Sequence, residues 1–270
     1  MKRSILSIIA IFIGLSVVLS PGAGAATPPH YAALGDSVAA GAGLSDSDGS
    51  VCDRSTQSYP YIIAAELGTS VTHLACTGAK VDEGIYGEQS RDGQDIVPQL
   101  DAAFADGVPD IITMTVGAND ARWTQFLRKC QIATCGTAFD NASSKVLRGD
   151  LRVELYWTLY RIEQLSDGNP PTVLMNGYYA PFASAVCSGT EKITAAERNW
   201  LRISTTNLNQ AIRSVANRFS FAQYVPVSFA GHEMCSTDPW VQGLNDPMPF
   251  HPTEAGQTAI ADANLRVLGL

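Results

Sequence analysis

Apolar residues recur along the chain in five short, nearly continuous runs: Tyr31 to Gly35, Val71 to Ala75, Asp110 to Gly117, Thr172 to Gly177 and Tyr224 to Ser228. Each has the length and β-rich composition of a strand, and the runs stand too far apart to be joined by hairpin turns. Helical spacing fills the gaps. Thr194 and Glu197 form a T-x-x-E capping box ahead of Leu201, Leu208, Ile212, Val215 and Phe219, which recur along one helix face. Ser58, Tyr59 and Pro60 open a second helix that Gly68 stops, and a third runs from Thr253 to Val267, ending before Gly269. Apolar strands alternating with helices predict an α/β fold, a three-layer α/β/α sandwich around a five-stranded parallel sheet. No internal repeat or linker interrupts the alternation. Two long loops are expected, Leu44 to Gln57 and Arg128 to Arg148, of the kind that carry binding surfaces on such sheets.

The first 25 residues follow another pattern. Lys2 and Arg3 precede an apolar run from Ile5 to Leu19, then Pro21 and a small-residue tail with Ala23 and Ala25 in an A-x-A arrangement. The run is about 15 residues, short of the roughly 20 that span a bilayer. Residues 1–25 therefore read as a cleaved secretory signal and 26–270 as one domain. The mature protein is expected to be secreted, without integral membrane association, and monomeric. The first cysteine is Cys52, too far from the cleavage point to carry a lipid anchor.

Charge narrows the partners. The chain carries 18 Lys and Arg against 26 Asp and Glu, a formal charge of -8, with no basic run. Nucleic-acid binding draws its affinity from cations that neutralise phosphates, so no nucleic acid is expected. Six cysteines in an exported chain indicate disulfides. They fall as three sequential couples, Cys52 with Cys76, Cys130 with Cys135 and Cys187 with Cys235, although six cysteines allow about fifteen pairings and spacing alone does not choose. C-x-x-C pairs with nearby histidines are missing, so no metal centre is expected. The acidic loop at Asp46 and Asp48 lacks the ligand series of an EF-hand.

Candidate chemistry lies at the carboxyl ends of the predicted strands. The first ends in "ALGDSV", which puts the Ser37 hydroxyl at the sheet edge. The second runs into "ACTGAK", where Gly78 offers an unobstructed backbone N–H. The third ends in "TVGAND", where the Asn119 amide is suited either to an oxyanion or to capping the next helix. Near the carboxyl terminus, "PFHPTEAG" sets His251 at a helix start facing the same edge. The other histidines fit less well: His30 adjoins the cleaved end, His73 lies within a strand, and His232 begins "HEMC", which lacks the second histidine of H-E-x-x-H. Asp36 and Asp120 adjoin the key positions and read as backbone-orienting groups.

These four segments, in this order and each at a strand end, resemble the SGNH hydrolases, also called GDSL esterases and lipases. The match spans nearly the whole mature chain, and the exported N-terminus with three cysteine couples is most similar to the secreted actinobacterial branch. The resemblance implies a flavodoxin-like sandwich and a cofactor-independent serine carboxylester hydrolase. In it Ser37 attacks the ester, His251 moves the proton, and Ser37, Gly78 and Asn119 donate to the oxyanion. The nucleophile elbow of α/β-hydrolases, G-x-S-x-G, is missing from the mature sequence. One position departs from the family pattern. Most members carry an aspartate three residues before the histidine, where this chain has Met248, so the Met248 carbonyl is the leading candidate to orient His251 and Asp246 the second.

Aromatic and apolar residues gather near the same edge: Trp123, Phe126, Leu127, Tyr178, Tyr179, Phe182, Trp240 and Phe250. They read equally as an acyl pocket or as ordinary core. Lipid-like acyl esters are the expected substrates. The alternatives are a carbohydrate O-deacetylase of the same fold and a non-catalytic scaffold that binds lipid or glycan.

Overall fold

The computed structural model describes residues 28–123, 125, 126, 129, 149–182, 186, 187 and 190–270. The proposed signal at 1–25, Leu127 and most of the 128–148 loop lie outside the described residues. Five strands form one parallel sheet: β1 (Tyr31–Gly35), β2 (Val71–His73), β5 (Ile111–Thr115), β6 (Thr172–Asn176) and β7 (Ala222–Val225), in the order β2-β1-β5-β6-β7. A short hairpin of β3 (Gln89–Arg91) and β4 (Gln94–Ile96) lies outside it and is followed by the short helix α3 (Gln99–Ala103). Another short helix, α1 (Ser37–Ala40), follows β1 directly.

The order dictates the layers. The chain leaves β1 in one direction to β2 and returns across β1 to add β5, β6 and β7 on the other side. Right-handed crossovers therefore put α2 (Tyr59–Glu66) on one face and α4 (Leu151–Leu165) with α5 (Ala195–Ala216) on the opposite face. The last helix, α6 (Glu254–Leu268), packs with α2, and α4 packs with α5. Strand alternation shows both faces covered. Val173 and Met175 join the large core with Leu151, Leu155 and Leu208, whereas Leu174 and Val225 pack with Ala263 under α6. The direction of strand addition reverses between β1 and β5, and open α/β sheets bind ligands outside the carboxyl ends of the strands at such a reversal.

Local signals explain most boundaries. The α5 capping box forms, with Glu197 N–H donating to Thr194 Oγ1 at 3.2 Å and Thr194 N–H to Glu197 Oε2 at 2.7 Å. Thr253 caps α6, and Gly269 ends it in the left-handed region. The last strand runs from Ala222 to Val225, earlier than the apolar run at Tyr224 to Ser228, because Pro226 has no N–H with which to continue the ladder. The β3–β4 hairpin carries an Asp92-Gly93 turn with φ of 50° and 78°, a two-residue hairpin signature that stands apart from the apolar runs of the core strands.

Of the three expected disulfides, two are formed in the sequential pairing, Cys52–Cys76 and Cys187–Cys235. Cys130 and Cys135, the expected third couple, both lie outside the described residues. Among the described residues no helix is long and apolar enough to cross a membrane.

Candidate active site

Ser37 is the first residue of α1, set directly onto the end of β1. Asp36 caps this short helix through Oδ1, which accepts from Val38 N–H at 2.9 Å. The junction needs Gly35: its φ is +143°, and a Cβ there would stand 2.4 Å from the Thr115 carbonyl oxygen of β5. Three buried glutamines from distant segments hold the junction. The Gln99 amide brackets the Gly35 backbone, accepting at 2.7 Å and donating at 2.9 Å. Gln257 Nε2 donates to Val38 O and Gln242 Nε2 to Ala42 O, each at 3.0 Å. A buried primary amide both donates and accepts, so each glutamine ties its own segment to backbone groups of another. No sequence signal marks these three, because the role exists only once separate segments meet.

His251 comes from the loop before α6, and its Nε2 lies 2.7 Å from Ser37 Oγ, across 214 residues of sequence. Nδ1 faces the Pro249 carbonyl oxygen at 3.1 Å. A carbonyl only accepts, so Nδ1 carries the proton and Nε2 presents its lone pair to the serine hydroxyl. The expectation for the orienting group is thereby corrected by one residue. The Met248 carbonyl instead accepts from the His251 backbone N–H at 3.2 Å, which turns the loop so that the Pro249 carbonyl, not Met248's, meets the ring. Asp246 is occupied elsewhere, its Oδ2 accepting from Gly243 N–H at 2.6 Å within its own turn.

The residue between, Phe250, has φ of +72°, a conformation that costs a bulky side chain of order 1 to 3 kcal/mol. Its backbone is tied on both sides. Tyr179 Oη donates to Phe250 O at 2.7 Å, and Phe250 N–H donates to Gln242 O at 3.0 Å. Gln242 N–H in turn donates to His251 O at 2.7 Å. Tyr179 and Gln242 thus fix the direction in which the imidazole leaves the backbone.

Gly78 lies on the exposed turn that continues β2, brought alongside β1 by the Cys76 N–H bond to Gly35 O at 2.9 Å. Asn119 follows β5, lines the cleft in front of Ser37, and donates through Nδ2 to Ala79 O at 3.0 Å. Among the described residues the N–H groups of Ser37 and Gly78 donate to no protein acceptor. Ser37, Asn119 and His251 line one open cleft enclosing about 840 Å³, including solvent at its mouth. Gly78 belongs to the adjoining turn that Asn119 ties down.

The aromatic residues divide between cleft and core. Trp123, Tyr178, Tyr179 and Phe250 line the cleft together with Pro181, Pro247, Met248 and Pro249. Phe126 packs on Trp200, Phe182 sets its edge against Phe250, and Trp240 stacks on His232. The remaining histidines serve other ends. His73 bonds Ala39 O at 3.1 Å and burial pushes its pKa down to about 4, while His232 Nδ1 lies 3.2 Å from Asp238. The His30 backbone is engaged at the start of β5, its N–H donating to Asp110 Oδ2 and its carbonyl accepting from Ile111 N–H. No cluster of three or more metal-ligating side chains occurs among the described residues.

Burial dominates the carboxylates behind the site. It raises Asp36 to about 7, against bonds from Tyr178 Oη at 2.5 Å and Val38 N–H, which pull the other way. Asp120 is raised to about 6 and Glu154 to about 7, with desolvation again the largest cause. Because folding raises the Asp36 pKa, its contribution to stability is fully present below the ordinary value of 3.8 and is lost as pH rises through about 7. Asp36→Asn is expected to remove that part of the decline. Urea midpoints measured between about pH 4 and pH 8 should show the variant gaining on the parent as pH rises. Parallel profiles would contradict the buried, proton-holding Asp36.

Residues 33–259 match the GDSL-like lipase/acylhydrolase family. A lipase of Streptomyces rimosus is 31% identical over 240 residues, covering 84% of this chain and 82% of the relative. Lipase 2 of Streptomyces coelicolor is 28% identical over 299 residues, covering 100% and 97%. Among solved structures, the extracellular lipase from Streptomyces rimosus superposes with a TM-score of 0.73 at 26% identity, over 89% of this chain and 98% of that one. Phospholipase A1 from Streptomyces albidoflavus gives 0.70 at 25% identity, over 90% and 99%. The chain therefore belongs to the GDSL-like lipase/acylhydrolase family, the SGNH hydrolases, in its actinobacterial lipase branch. In activity it is a carboxylester hydrolase of the lipase and esterase class.

Proposed function

We propose that the protein is an exported serine lipase or esterase that cleaves lipid-like acyl esters through an acyl-enzyme on Ser37. The observation that carries this reading is the 2.7 Å approach of His251 Nε2 to Ser37 Oγ, with Nδ1 turned to a carbonyl, at the mouth of an apolar cleft. Ser37 Oγ attacks the ester carbonyl carbon while Nε2 takes the hydroxyl proton. The tetrahedral oxygen gathers negative charge facing the N–H groups of Ser37 and Gly78 and the Asn119 amide. Collapse expels the alkoxide, which leaves as the alcohol with the proton from Nε2. Water then repeats the sequence on the acyl-enzyme, Nε2 taking its proton and returning one to Ser37 as the carboxylic acid departs. The Pro249 carbonyl orients the ring throughout, although a neutral acceptor stabilises imidazolium less than a carboxylate would.

The cleft walls supply the argument for lipid-like chains, since four aromatic rings and three prolines offer few polar partners to a sugar. The similar Streptomyces proteins named lipase and phospholipase A1 support the same class. Residues 1–25 act as the export signal in this reading. Both disulfides suit an oxidising exterior, as does similarity to a lipase named extracellular. A third bridge, between Cys130 and Cys135, belongs to the same reading. The mature enzyme works as a monomer, without cofactor or nucleic acid. Hydrolysis of p-nitrophenyl esters from acetate to palmitate tests the substrate class. Turnover should extend to medium and long chains, and activity confined to acetate would overturn the lipid-like assignment in favour of a deacetylase.

A further inference from the structure

The β3–β4 hairpin lies outside the main sheet, yet two of its side chains converge on one carbonyl beside the site. Gln89 Nε2 donates to Thr77 O at 2.9 Å and Arg91 Nη1 donates to the same oxygen at 3.2 Å. Both lone pairs of that oxygen are thereby engaged, one by a cation. The Thr77 C=O and the Gly78 N–H belong to a single peptide unit, whose resonance couples oxygen to nitrogen. Drawing electron density onto the oxygen increases the double-bond character of C–N and leaves the amide hydrogen more positive. Hydrogen bonds in such a chain strengthen one another for this reason.

We propose that Arg91 and Gln89 are positioning residues for ester hydrolysis: they polarise the Thr77–Gly78 peptide and so strengthen the Gly78 N–H as an oxyanion donor. This rests on the proposed function, in which that N–H meets the tetrahedral oxygen. The arrangement is held from several sides. Gln89 is buried, so its amide has little freedom to leave Thr77. The Arg91 guanidinium is fixed by Val51 O and by Asp53 Oδ2, the latter at 3.0 Å. Thr77 N–H donates to Cys52 O at 3.1 Å, and the Cys52–Cys76 disulfide closes the same turn. The Gly78 N–H itself donates to no acceptor among the described residues, and Gly78 is exposed. A contribution to stability alone would lower the melting temperature on its loss and leave kcat and KM of the folded enzyme unchanged. Polarising the N–H acts only where negative charge develops.

The test compares Arg91→Met and Gln89→Met with the parent, using p-nitrophenyl butyrate for kcat and KM and an alkyl trifluoromethyl ketone as a tetrahedral analogue. Each variant should lose roughly three- to tenfold in kcat with KM nearly unchanged, and bind the ketone more weakly by a similar factor. Asn119→Ala, measured alongside, separates two kinds of failure. If it weakens ketone binding while both hairpin variants bind as the parent does, the polarisation proposal is wrong and the oxyanion site stands. If none of the three weakens binding, the oxyanion site itself has been misassigned and the proposal falls with it. Should Arg91→Met fail to fold, Gln89→Met decides the question by the same readout.

Discussion

Replacing Ser37 with alanine is expected to lower kcat for ester hydrolysis by about a millionfold while leaving the protein folded. Removal of the nucleophile from a serine hydrolase costs on this order, the residue of activity coming from the oxyanion donors and substrate binding. The fold should hardly register the change. Ser37 Oγ bonds His251 Nε2, whereas α1 is capped by the Asp36 side chain and its junction is held by Gln99 and Gln257. Melting temperature and circular dichroism should match the parent. A variant that retained activity within about tenfold would remove Ser37 from the chemistry, since no enzyme of this mechanism tolerates loss of its nucleophile.

Asn119→Ala carries the second-largest expected effect, about a hundredfold loss in kcat with KM little altered. One oxyanion donor acts on charge that exists only in the transition state, which is why its loss appears in kcat. The alanine also gives up the bond to Ala79 O, so the turn that bears Gly78 loosens and the loss should not fall below that of a single donor. Asn119→Asp is a sharper companion. It keeps the shape but replaces the donating nitrogen with an ionised acceptor, and it should be at least as damaging. Steady-state kinetics on one soluble ester suffices. A rise in KM at unchanged kcat would instead assign Asn119 to uniform substrate binding.

The sequence discloses the parts of the site that depend on strand-end geometry. An apolar strand closing on Gly35, Asp36 and Ser37 leaves the hydroxyl little choice but the sheet edge, and His251 before Pro252 and a helix cap leads to the same edge. The parallel sheet is equally legible, because buried strands read as continuous apolar runs. What escapes the sequence depends on one residue of backbone direction. Met248 holds the family position for an orienting group, yet its carbonyl is turned inward to the His251 N–H and Pro249 faces the ring. A left-handed Phe250 makes the difference, and no propensity favours a phenylalanine there. The end of β7 is obscured because the apolar character of Val225, Val227 and Phe229 hides the missing donor of Pro226. Gln99, Gln242 and Gln257 cannot be found from sequence at all. Their partners are backbone groups up to 219 residues away, and glutamine carries no pattern that announces a buried amide.

The central claim is that Ser37 forms a covalent bond with the acyl group while His251 moves the proton. It is tested most directly by incubating the mature protein with a p-nitrophenyl alkylphosphonate and locating the adduct by peptide mass spectrometry. The account predicts one phosphonyl group per chain, on Ser37, formed as activity disappears and absent from Ser37→Ala. A label on another residue, or lasting ester hydrolysis by protein that takes up no label, would contradict it.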